Sequence, residues 1–260
     1  MTRRHLFEIH DLVWCPLGLR DALTDLLQFA LNFGNHYRCA VPRLHHALET
    51  VQTRQIVDLC SGGGGPWFRL LRQFDEQGYQ VKVRLTDKYP NLKALENVPA
   101  AYRNCLQFES GSVDATDLPA ALVGFRTLFS SFHHFEPNAA RAILADAVSK
   151  RQGIAVFEFT RRHLLAVLFM LLSPLAVFAI PFLRPFRWSR LYWGLIACVT
   201  VAPFDGIVSC LRTYSPADLR AMVETLGDCG YVWEIGEDNS GPSPVPITYL
   251  VGYPRVLPQA

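Results

Sequence analysis

A run of four glycines constrains the fold of this chain more than any other feature. The glycines, Gly62–Gly65, follow an apolar stretch that ends in an acid, Ile56–Asp58, and precede an amphipathic stretch, Phe68–Phe74. This order is typical of a buried parallel strand, a tight turn and the N-terminus of a helix. Glycine adopts positive φ angles and lets a ligand approach the backbone closely. The sequence therefore predicts an α/β unit with a ligand site beside its first strand.

Further acids and histidines follow the next predicted strands. A second strand, Val81–Asp87, ends in a carboxylate a little over 20 residues beyond the glycines. In nucleotide-binding α/β folds an acid at that distance accepts hydrogen bonds from ribose hydroxyls. A third acid is Asp114, and a fourth strand, Phe125–Phe132, leads directly into His133 and His134.

This succession of parts resembles the class I methyltransferases, which use S-adenosylmethionine. The resemblance covers about residues 50–160 and, less closely, 211–254. It implies that Asp58 lies near the methionine end of the cofactor, that Asp87 binds the ribose and that Asp114 faces the adenine amino group. The other cofactor-binding residues that it implies are Cys60, Gly62 and Gly64 in the turn, Val113 and Ala115 beside the adenine ring, and Ser130 after the fourth strand. Cys60 departs from the family, which usually has glycine at that position.

Other interpretations of the glycine turn exist. The dinucleotide-binding fingerprint of dehydrogenases, G-x-G-x-x-G, can be matched from Gly62 to Gly65, but Pro66 follows immediately. A dehydrogenase would also leave the third acid and the two histidines without a role. Individually, Asp58 could simply cap the following helix, and Asp87 could be an ordinary turn residue.

The loop after the fourth strand is where the resemblance places the substrate. His134 is the first candidate for a base or a substrate-positioning group, because histidine titrates near neutral pH, and His133 is the second. Packing alone is the alternative for either histidine. Glu158 ends the predicted fifth strand at the same sheet edge, where it could orient substrate or pair with Arg161 or Arg162. A base is needed only if the accepting atom carries a proton, since alignment does most of the work in methyl transfer.

An apolar block, residues 164–204, is the second distinctive feature. Its first run, Leu164–Leu183, has twenty residues without a charge, and a shorter run, Leu191–Phe204, follows a basic turn. Twenty helical residues reach about 30 Å, the thickness of the hydrocarbon core of a bilayer. However, Pro174 and Pro181 interrupt the first run.

A simple membrane crossing does not fit the position of this block in the chain. Both ends of the block adjoin the same predicted domain, and the second run is too short to cross comfortably. We expect a helical hairpin in one leaflet, with basic and aromatic residues at headgroup level. These residues are Arg161, Arg162, His163, Arg184, Arg187, Trp188, Arg190, Tyr192 and Trp193. A hydrophobic cap on the catalytic domain, or burial in a homodimer, is the alternative.

The remaining segments complete the predicted domain organisation. Apolar residues recur at helical spacing over Pro16–Phe33, which predicts a helical lid. Polar residues that flank this helix are more often surface or packing residues than catalytic ones: Glu8, His10, Asp11, Trp14, Asn35, His36, Tyr37 and Arg38. A helix start at Ser215 and two strands, Gly230–Ile235 and Ile247–Val251, follow the block.

The predicted fold is therefore a seven-stranded, doubly wound, Rossmann-like α/β sheet with an antiparallel last strand. Residues 1–50 form the N-terminal helical lid and residues 51–163 the cofactor-binding core. Residues 164–204 form a hydrophobic insertion between strands five and six, and residues 205–260 complete the core.

Composition narrows the function classes. The net charge of +2 argues against nucleic acid as a partner. The seven cysteines include no C-x-x-C pair, which favours a reducing compartment over a disulfide framework. The adjacent histidine pairs, His45–His46 and His133–His134, are expected to point in different directions, so we predict no metal site. No continuous apolar core follows the basic N-terminus, so we expect no signal peptide.

These observations predict a methyltransferase that uses S-adenosylmethionine and acts on a lipophilic small molecule, most simply by O-methylation. The insertion predicts a monotopic protein at the cytoplasmic face of a membrane, or a cytoplasmic protein if the insertion is a cap. One alternative is a membrane-tethered protein that binds the cofactor without catalysis. Another is an RNA or protein methyltransferase, which the low basic charge disfavours.

Overall fold

One mixed sheet forms the centre of the molecule. The computed structural model describes residues 1–91, 98–183, 188–239 and 245–255. Within these residues the sheet has seven strands, in the order β3-β2-β1-β4-β5-β7-β6. They are β1 Gln55–Asp58, β2 Lys82–Leu85, β3 Leu106–Phe108, β4 Phe125–Phe129, β5 Ile154–Glu158, β6 Tyr231–Asp238 and β7 Ile247–Pro254. Strand β7 pairs antiparallel with both β5 and β6, so the predicted topology is confirmed.

Helices cover both faces of the sheet. They are α1 Leu17–Phe33, α2 Ala40–Thr50, α3 Trp67–Glu76, α4 Pro137–Ser149, α5 Leu164–Met170, α6 Trp188–Ile196, α7 Ala202–Arg212 and α8 Pro216–Glu224. One apolar core packs α2 and α3 on the first face, with Leu44 and Trp67 fully buried. The other packs α4 and α8 on the second face, around Leu128 and Ile143. The doubly wound arrangement follows from these two cores.

The central strands β4 and β5 are covered on both of their faces. Every residue of β4 and β5 is buried, as expected of parallel strands between helical layers. The register places Asp58 beside Thr127 and Phe129 beside Phe157. The carboxyl ends of β1, β4 and β5 therefore meet at one edge of the sheet, where Glu158 also lies.

The apolar block and α1 form a third cluster beside that edge. After α5, a 3₁₀ helix covers Ser173–Phe182, and a π-helical turn, Ala197–Val201, joins α6 to α7. Apolar residues of α1, including Leu19 and Leu23, pack against Ile180 and the π-helical turn. Arg184 and Arg187 of the predicted basic turn, and the side chain of Arg190, lie outside the described part of the chain.

Among the described residues, one helix that runs through the second part of the block matches a membrane span in length and composition, and one bent pair of helices would do so only as a unit. The continuous helix Leu191–Arg212 has 22 residues, and 44% of its most apolar window is buried inside the protein. Helix α5 and the 3₁₀ helix would qualify together, although they are bent by 46° at their junction. Helix α7 runs beyond the predicted limit of the insertion at residue 204. The predicted domain limits themselves stay a prediction.

Candidate cofactor and catalytic site

The glycine turn connects β1 to α3 through left-handed backbone. Positive φ angles occur at Cys60 (55°), Gly62 (52°), Gly64 (105°) and Gly65 (50°). Such angles are uncommon for residues other than glycine, which explains why the family usually has glycine at the position of Cys60. The turn is also tied to β2, because the Ser61 N–H donates to the Thr86 carbonyl at 2.9 Å.

Helix α1 lies directly over this turn. The Gln28 amide donates to the Gly63 carbonyl, and the Asn32 amide donates to the Gly65 carbonyl at 2.7 Å. A Cβ atom at Gly63 would lie only 3.1 Å from the Thr24 carbonyl oxygen, so glycine permits this close approach. The sequence showed Gln28 and Asn32 only as polar positions on an amphipathic helix, and nothing in it indicated their contacts.

Asp87 links the turn to the segment that carries the third acid. Its Oδ2 accepts from the Gly62 N–H at 2.7 Å and its Oδ1 from the Tyr89 N–H at 2.8 Å. Its carbonyl oxygen accepts from the Val113 N–H at 2.9 Å. Burial raises the pKa of Asp87, although the two backbone hydrogen bonds oppose this effect. The carboxylate is therefore held in one orientation, at the junction of three chain segments.

Asp114 is oriented by the residues around it. Its Oδ1 accepts from the Thr116 hydroxyl at 2.6 Å and from the Thr116 N–H at 2.9 Å, and Lys88 Nζ lies 3.3 Å from its Oδ2. The hydrogen bonds from Thr116 lower the pKa of Asp114. The flanking Val113 and Ala115 are both buried. Asp114 is therefore an ionised and partly exposed acid.

Asp58 and Ser130 lie deeper in the same edge. Asp58 is buried, and its Oδ1 accepts from the Thr127 hydroxyl at 2.6 Å. Burial raises the pKa of Asp58 to about 7. The Ser130 hydroxyl contacts the Tyr37 hydroxyl at 2.5 Å and accepts from the Phe159 N–H at 3.1 Å. Ser130 thus connects the segment before α2 to the residue that follows β5.

The stability of the Asp58→Asn variant relative to the wild type is expected to be clearly higher at pH 8 than at pH 5. The folded state prefers protonated Asp58, and this stabilising preference is lost progressively as the pH rises from the unfolded pKa of about 3.9 to about 7. Asparagine accepts the Thr127 hydrogen bond without a charge, which should add on the order of 1–3 kcal/mol to the free energy of unfolding at pH 8. Thermal unfolding at both pH values measures this difference.

Asp114→Asn is the matched control for that measurement. The pKa of Asp114 is lowered in the folded state. Its charged form therefore stabilises the fold above the unfolded pKa, and its replacement should destabilise the protein at pH 8. Equal stability changes in the two variants would contradict the role of burial at Asp58.

Glu158 positions the loop that contains the two histidines. Its Oε2 lies 2.7 Å from His133 Nδ1, and its Oε1 accepts from the N–H groups of Phe132 at 2.7 Å and His133 at 3.3 Å. Burial alone would lower the pKa of His133, but the Glu158 charge and hydrogen bond outweigh it and raise the pKa. Arg161 and Arg162 do not pair with Glu158, since they pair with Glu237 and Asp218 instead.

His134 lies closer to solvent and is held by residues far away in the chain. Its Nδ1 is 2.9 Å from Asp11 Oδ2. Arg212 donates to the carbonyl of His134 at 2.6 Å and to that of His133 at 3.2 Å, and its Nη1 is 3.0 Å from Asp11 Oδ2. Burial would raise the pKa of Asp11, but the hydrogen bond and charge of His134 outweigh it and lower this pKa. Asp11 and Arg212 therefore fix the position of His134.

Solved structures resemble this chain, whereas family models and curated sequences do not. No protein-family model and no curated protein sequence matches the chain. Among solved structures it is similar to human N-acetylserotonin methyltransferase in complex with SAM, with 11% identity, a TM-score of 0.48, and 94% of this chain and 53% of that chain covered. It is also similar to the plantazolicin methyltransferase BpumL in complex with SAH, with 12% identity, a TM-score of 0.49 and coverage of 92% and 96%.

A third similar structure is an O-methyltransferase family 2 protein from Planctomyces limnophilus in complex with apigenin, with 12% identity and a TM-score of 0.47. The alignment covers 77% of this chain and 50% of that chain. This chain thus spans about half the length of the human enzyme and of the family 2 protein. The strand order and the antiparallel β7 decide the fold. The chain has the class I methyltransferase fold.

Five further residues surround His133 and His134, and no pattern in the sequence indicated that they would belong to this site. They are Glu8, His10, Asp11, Asp205 and Arg212. Glu8 is fully buried, and its Oε1 lies 3.1 Å from both Arg212 Nη1 and the Ser209 hydroxyl. Asp205 Oδ1 accepts from the Ile9 N–H at 2.7 Å. In the sequence, the N-terminal polar residues resemble surface residues, and Asp205 and Arg212 resemble the polar end of an apolar helix. Their contacts could not be predicted, because the two groups are about 200 residues apart in the chain.

Proposed function

We propose that this protein is a methyltransferase that uses S-adenosylmethionine and methylates a lipophilic small molecule, most simply at oxygen. The observation that carries the proposal is the position of Asp87. Its side chain is bound to the glycine turn and its backbone to the Asp114 segment, at the sheet edge that also carries His133 and His134. The cofactor supplies an electrophilic methyl group, and the protein has to orient it and the acceptor.

The donor and acceptor groups at this edge suit that cofactor. Each oxygen of Asp87 accepts one backbone hydrogen bond, and a carboxylate has about four acceptor sites, so capacity remains for two ribose hydroxyls. Asp114 is held ionised and can accept from the adenine amino group, beside the apolar Val113 and Ala115. We assign the methionine end to Asp58, the glycine turn and Ser130.

The Asp87→Asn variant is expected to bind S-adenosylmethionine and S-adenosylhomocysteine about 10- to 150-fold more weakly than the wild type. The loss of a charged acceptor costs about 1.5–3 kcal/mol. Isothermal titration calorimetry measures both affinities. Asp117→Asn is the matched control, because Asp117 is an exposed acid of the same region. Equal affinities in wild type and Asp87→Asn, or no binding by the wild type, would refute the cofactor assignment.

His134 is the residue that we assign to the acceptor side. It follows β4, it is less buried than His133, and Asp11 and Arg212 hold it in place. It would act as a base toward the acceptor or as a group that positions it. His133 and Glu158 are buried, so we assign them to positioning this loop.

The apolar block would bring the protein to the cytoplasmic face of a membrane, where lipophilic acceptors concentrate. Large apolar side chains of the block are exposed on the 3₁₀ helix and on α6, including Phe178 (73%), Phe182 (67%) and Trp188 (77%). Monomeric soluble proteins rarely expose contiguous apolar patches of large area. Helix α1 packs on this block. Its start adds to the exposed apolar surface through Val13, Trp14 and Leu17.

Contacts of α7 favour attachment to one leaflet over a complete crossing. Asp205 and Arg212 belong to the helix Leu191–Arg212, yet both are buried and bonded to other parts of the domain. A helix that crossed the bilayer would have to give up these contacts and expose both charges to lipid, which is costly. A soluble cap or a homodimer interface is the alternative use of the same surface.

A further inference from the structure

A polar cluster with an excess of negative charge lies between the N-terminal segment, the loop after β4 and α7. Within the described residues its contacting charged groups are four carboxylates and one guanidinium: Glu8, Asp11, Glu158, Asp205 and Arg212. This leaves three negative charges without a fixed positive partner. All of these groups except Asp11 are buried. Buried charge without compensation is costly, so the cluster has to take up protons or a cation.

Three histidines of the cluster each have one nitrogen next to a carboxylate. The contacts are His10 Nδ1 to Asp205 Oδ2 at 2.8 Å, His133 Nδ1 to Glu158 Oε2 at 2.7 Å, and His134 Nδ1 to Asp11 Oδ2 at 2.9 Å. Histidines that bind a metal usually donate their other ring N–H to a carboxylate in this way. The carboxylate sets the tautomer and leaves the second nitrogen as an acceptor.

Two buried polar atoms of the cluster have no hydrogen-bond partner among the described residues. They are Glu8 Oε2 and His133 Nε2. Glu8 is fully buried, and His133 is 2% exposed. His133 Nε2 lies 3.7 Å from the Glu8 carboxylate, measured to Oε1. This distance is too long for a hydrogen bond. Two ligands of one ion, with bonds of about 2.0–2.2 Å, lie roughly 3–4 Å apart.

We propose that Glu8, His133 and His134 bind a divalent transition-metal ion such as Zn²⁺. One ligand atom of each residue lies within 4.8 Å of those of the other two. Two imidazoles and one carboxylate form a set that catalytic zinc sites use, with a fourth position open to substrate. The sequence-based expectation of no metal site assumed that adjacent histidines diverge, but the 3₁₀ turn brings the two ring centroids to 4.3 Å.

Arg212 defines which oxygen of Glu8 is available. The Arg212 guanidinium and the Ser209 hydroxyl both contact Glu8 Oε1 at 3.1 Å, so Oε2 is the oxygen left for the ion. The positive charge of Arg212 weakens cation binding, but the four carboxylates of the cluster outweigh it. The competing arrangement, with protonated histidines and no ion, predicts that the wild type has no specific site.

The role of the ion rests on the proposed function. The cluster adjoins the sheet edge that carries Asp87, because His133 and His134 follow β4, Asp87 follows β2, and both strands pair with β1 in parallel. An ion at this place would bind the oxygen of a hydroxylated acceptor and lower the pKa of its hydroxyl. His134 would then position the acceptor through the ion, and it would not act as the base. The acceptor class would then be alcohols or phenols that can reach the ion from the apolar block.

Metal titration of the complete chain tests the site directly. Protein freed of metal by a chelator is titrated with Zn²⁺ by calorimetry and with Co²⁺ by visible absorption. We expect one equivalent of each in the wild type. His133→Ala and Glu8→Gln should weaken binding about 100-fold or more, and the positioning variant Glu158→Gln about 10- to 100-fold. His46→Ala, which changes an exposed histidine on α2, should bind like the wild type.

Wild-type binding of Zn²⁺ that is no tighter than that of the His133→Ala/His134→Ala double variant would overturn the proposal. Circular dichroism shows whether Glu8→Gln is folded. If it is not, the less buried His134→Ala takes its place, and an unchanged Co²⁺ spectrum in that variant overturns the proposal as well. Calorimetry with S-adenosylhomocysteine is run on the same samples. Zn²⁺ binding without cofactor binding would refute the proposed function and leave the metal site standing.

Discussion

Turnover of the His134→Ala variant is expected to fall about 10²- to 10⁴-fold, the usual loss when a base is removed. Cofactor affinity should change little, because the glycine turn, Asp87 and Asp114 do not involve the His134 side chain in any described hydrogen bond. The reason for the large effect is position. His134 follows β4, and Asp11 holds its imidazole at 2.9 Å, at the edge where we propose that acceptor and methyl group meet.

Steady-state kinetics with a hydroxylated lipophilic acceptor, together with calorimetry for S-adenosylhomocysteine, measures both quantities. Asp11→Asn should reduce turnover less than His134→Ala does, since it removes only the group that orients the ring. His46→Ala is the control for a histidine outside the site. Full activity in a folded His134→Ala protein would mean that His134 is structural and that alignment alone drives the reaction.

A triple variant of the 3₁₀ helix, Leu175→Ser/Phe178→Ser/Phe182→Ser, is expected to move the protein from membranes into solution. The three side chains are 59%, 73% and 67% exposed. Burial of one large apolar side chain contributes about 1.5–3 kcal/mol. Losing three should therefore lower the membrane partition coefficient by roughly 10³-fold or more, as measured by flotation with phosphatidylcholine–phosphatidylglycerol vesicles.

This experiment has a matched control and distinguishes the alternatives. Val123→Ser removes an apolar side chain that is 66% exposed before β4, outside the block, and should leave flotation unchanged. A wild-type protein that is monomeric in solution and does not float would show that the block is an internal cap. A wild-type dimer that the triple variant converts to monomers without lipid would assign the surface to a homodimer interface.

Local patterns in the sequence predicted the sheet well. The run of β5 is apolar from Ile154 to Phe157 because both faces of this strand are buried, and Gly62, Gly64 and Gly65 stand where the backbone is left-handed. The start of α8 was also predictable, since Ser215 and Asp218 form a complete capping box. Each of these features depends on residues that are close together in the chain.

The histidine site was only partly predictable for the opposite reason. His133, His134 and Glu158 follow strands, so topology brings them to one edge. Glu8 and Arg212 reach that edge through contacts between distant segments. Hydropathy also gave no sign that α7 continues to Arg212, because the charged residues of this helix are buried by polar partners that no local window contains. Whether the individual cofactor residues bind as assigned stays a prediction.

The contacts between the N-terminal segment and α7 have a consequence for biosynthesis. Ser209 donates to Glu8 across 201 residues of chain, and Arg212 reaches Asp11 over the same separation. Domains begin to fold during synthesis from their N-terminal side, yet residues 8–11 lack the partners that α7 supplies until α7 leaves the ribosome. Residues 8–11 are therefore translated long before the segment that completes their contacts. If synthesis stops before α7, the nascent chain can begin to form its sheet, but the loop that carries His133 and His134 still lacks its contacts with α7.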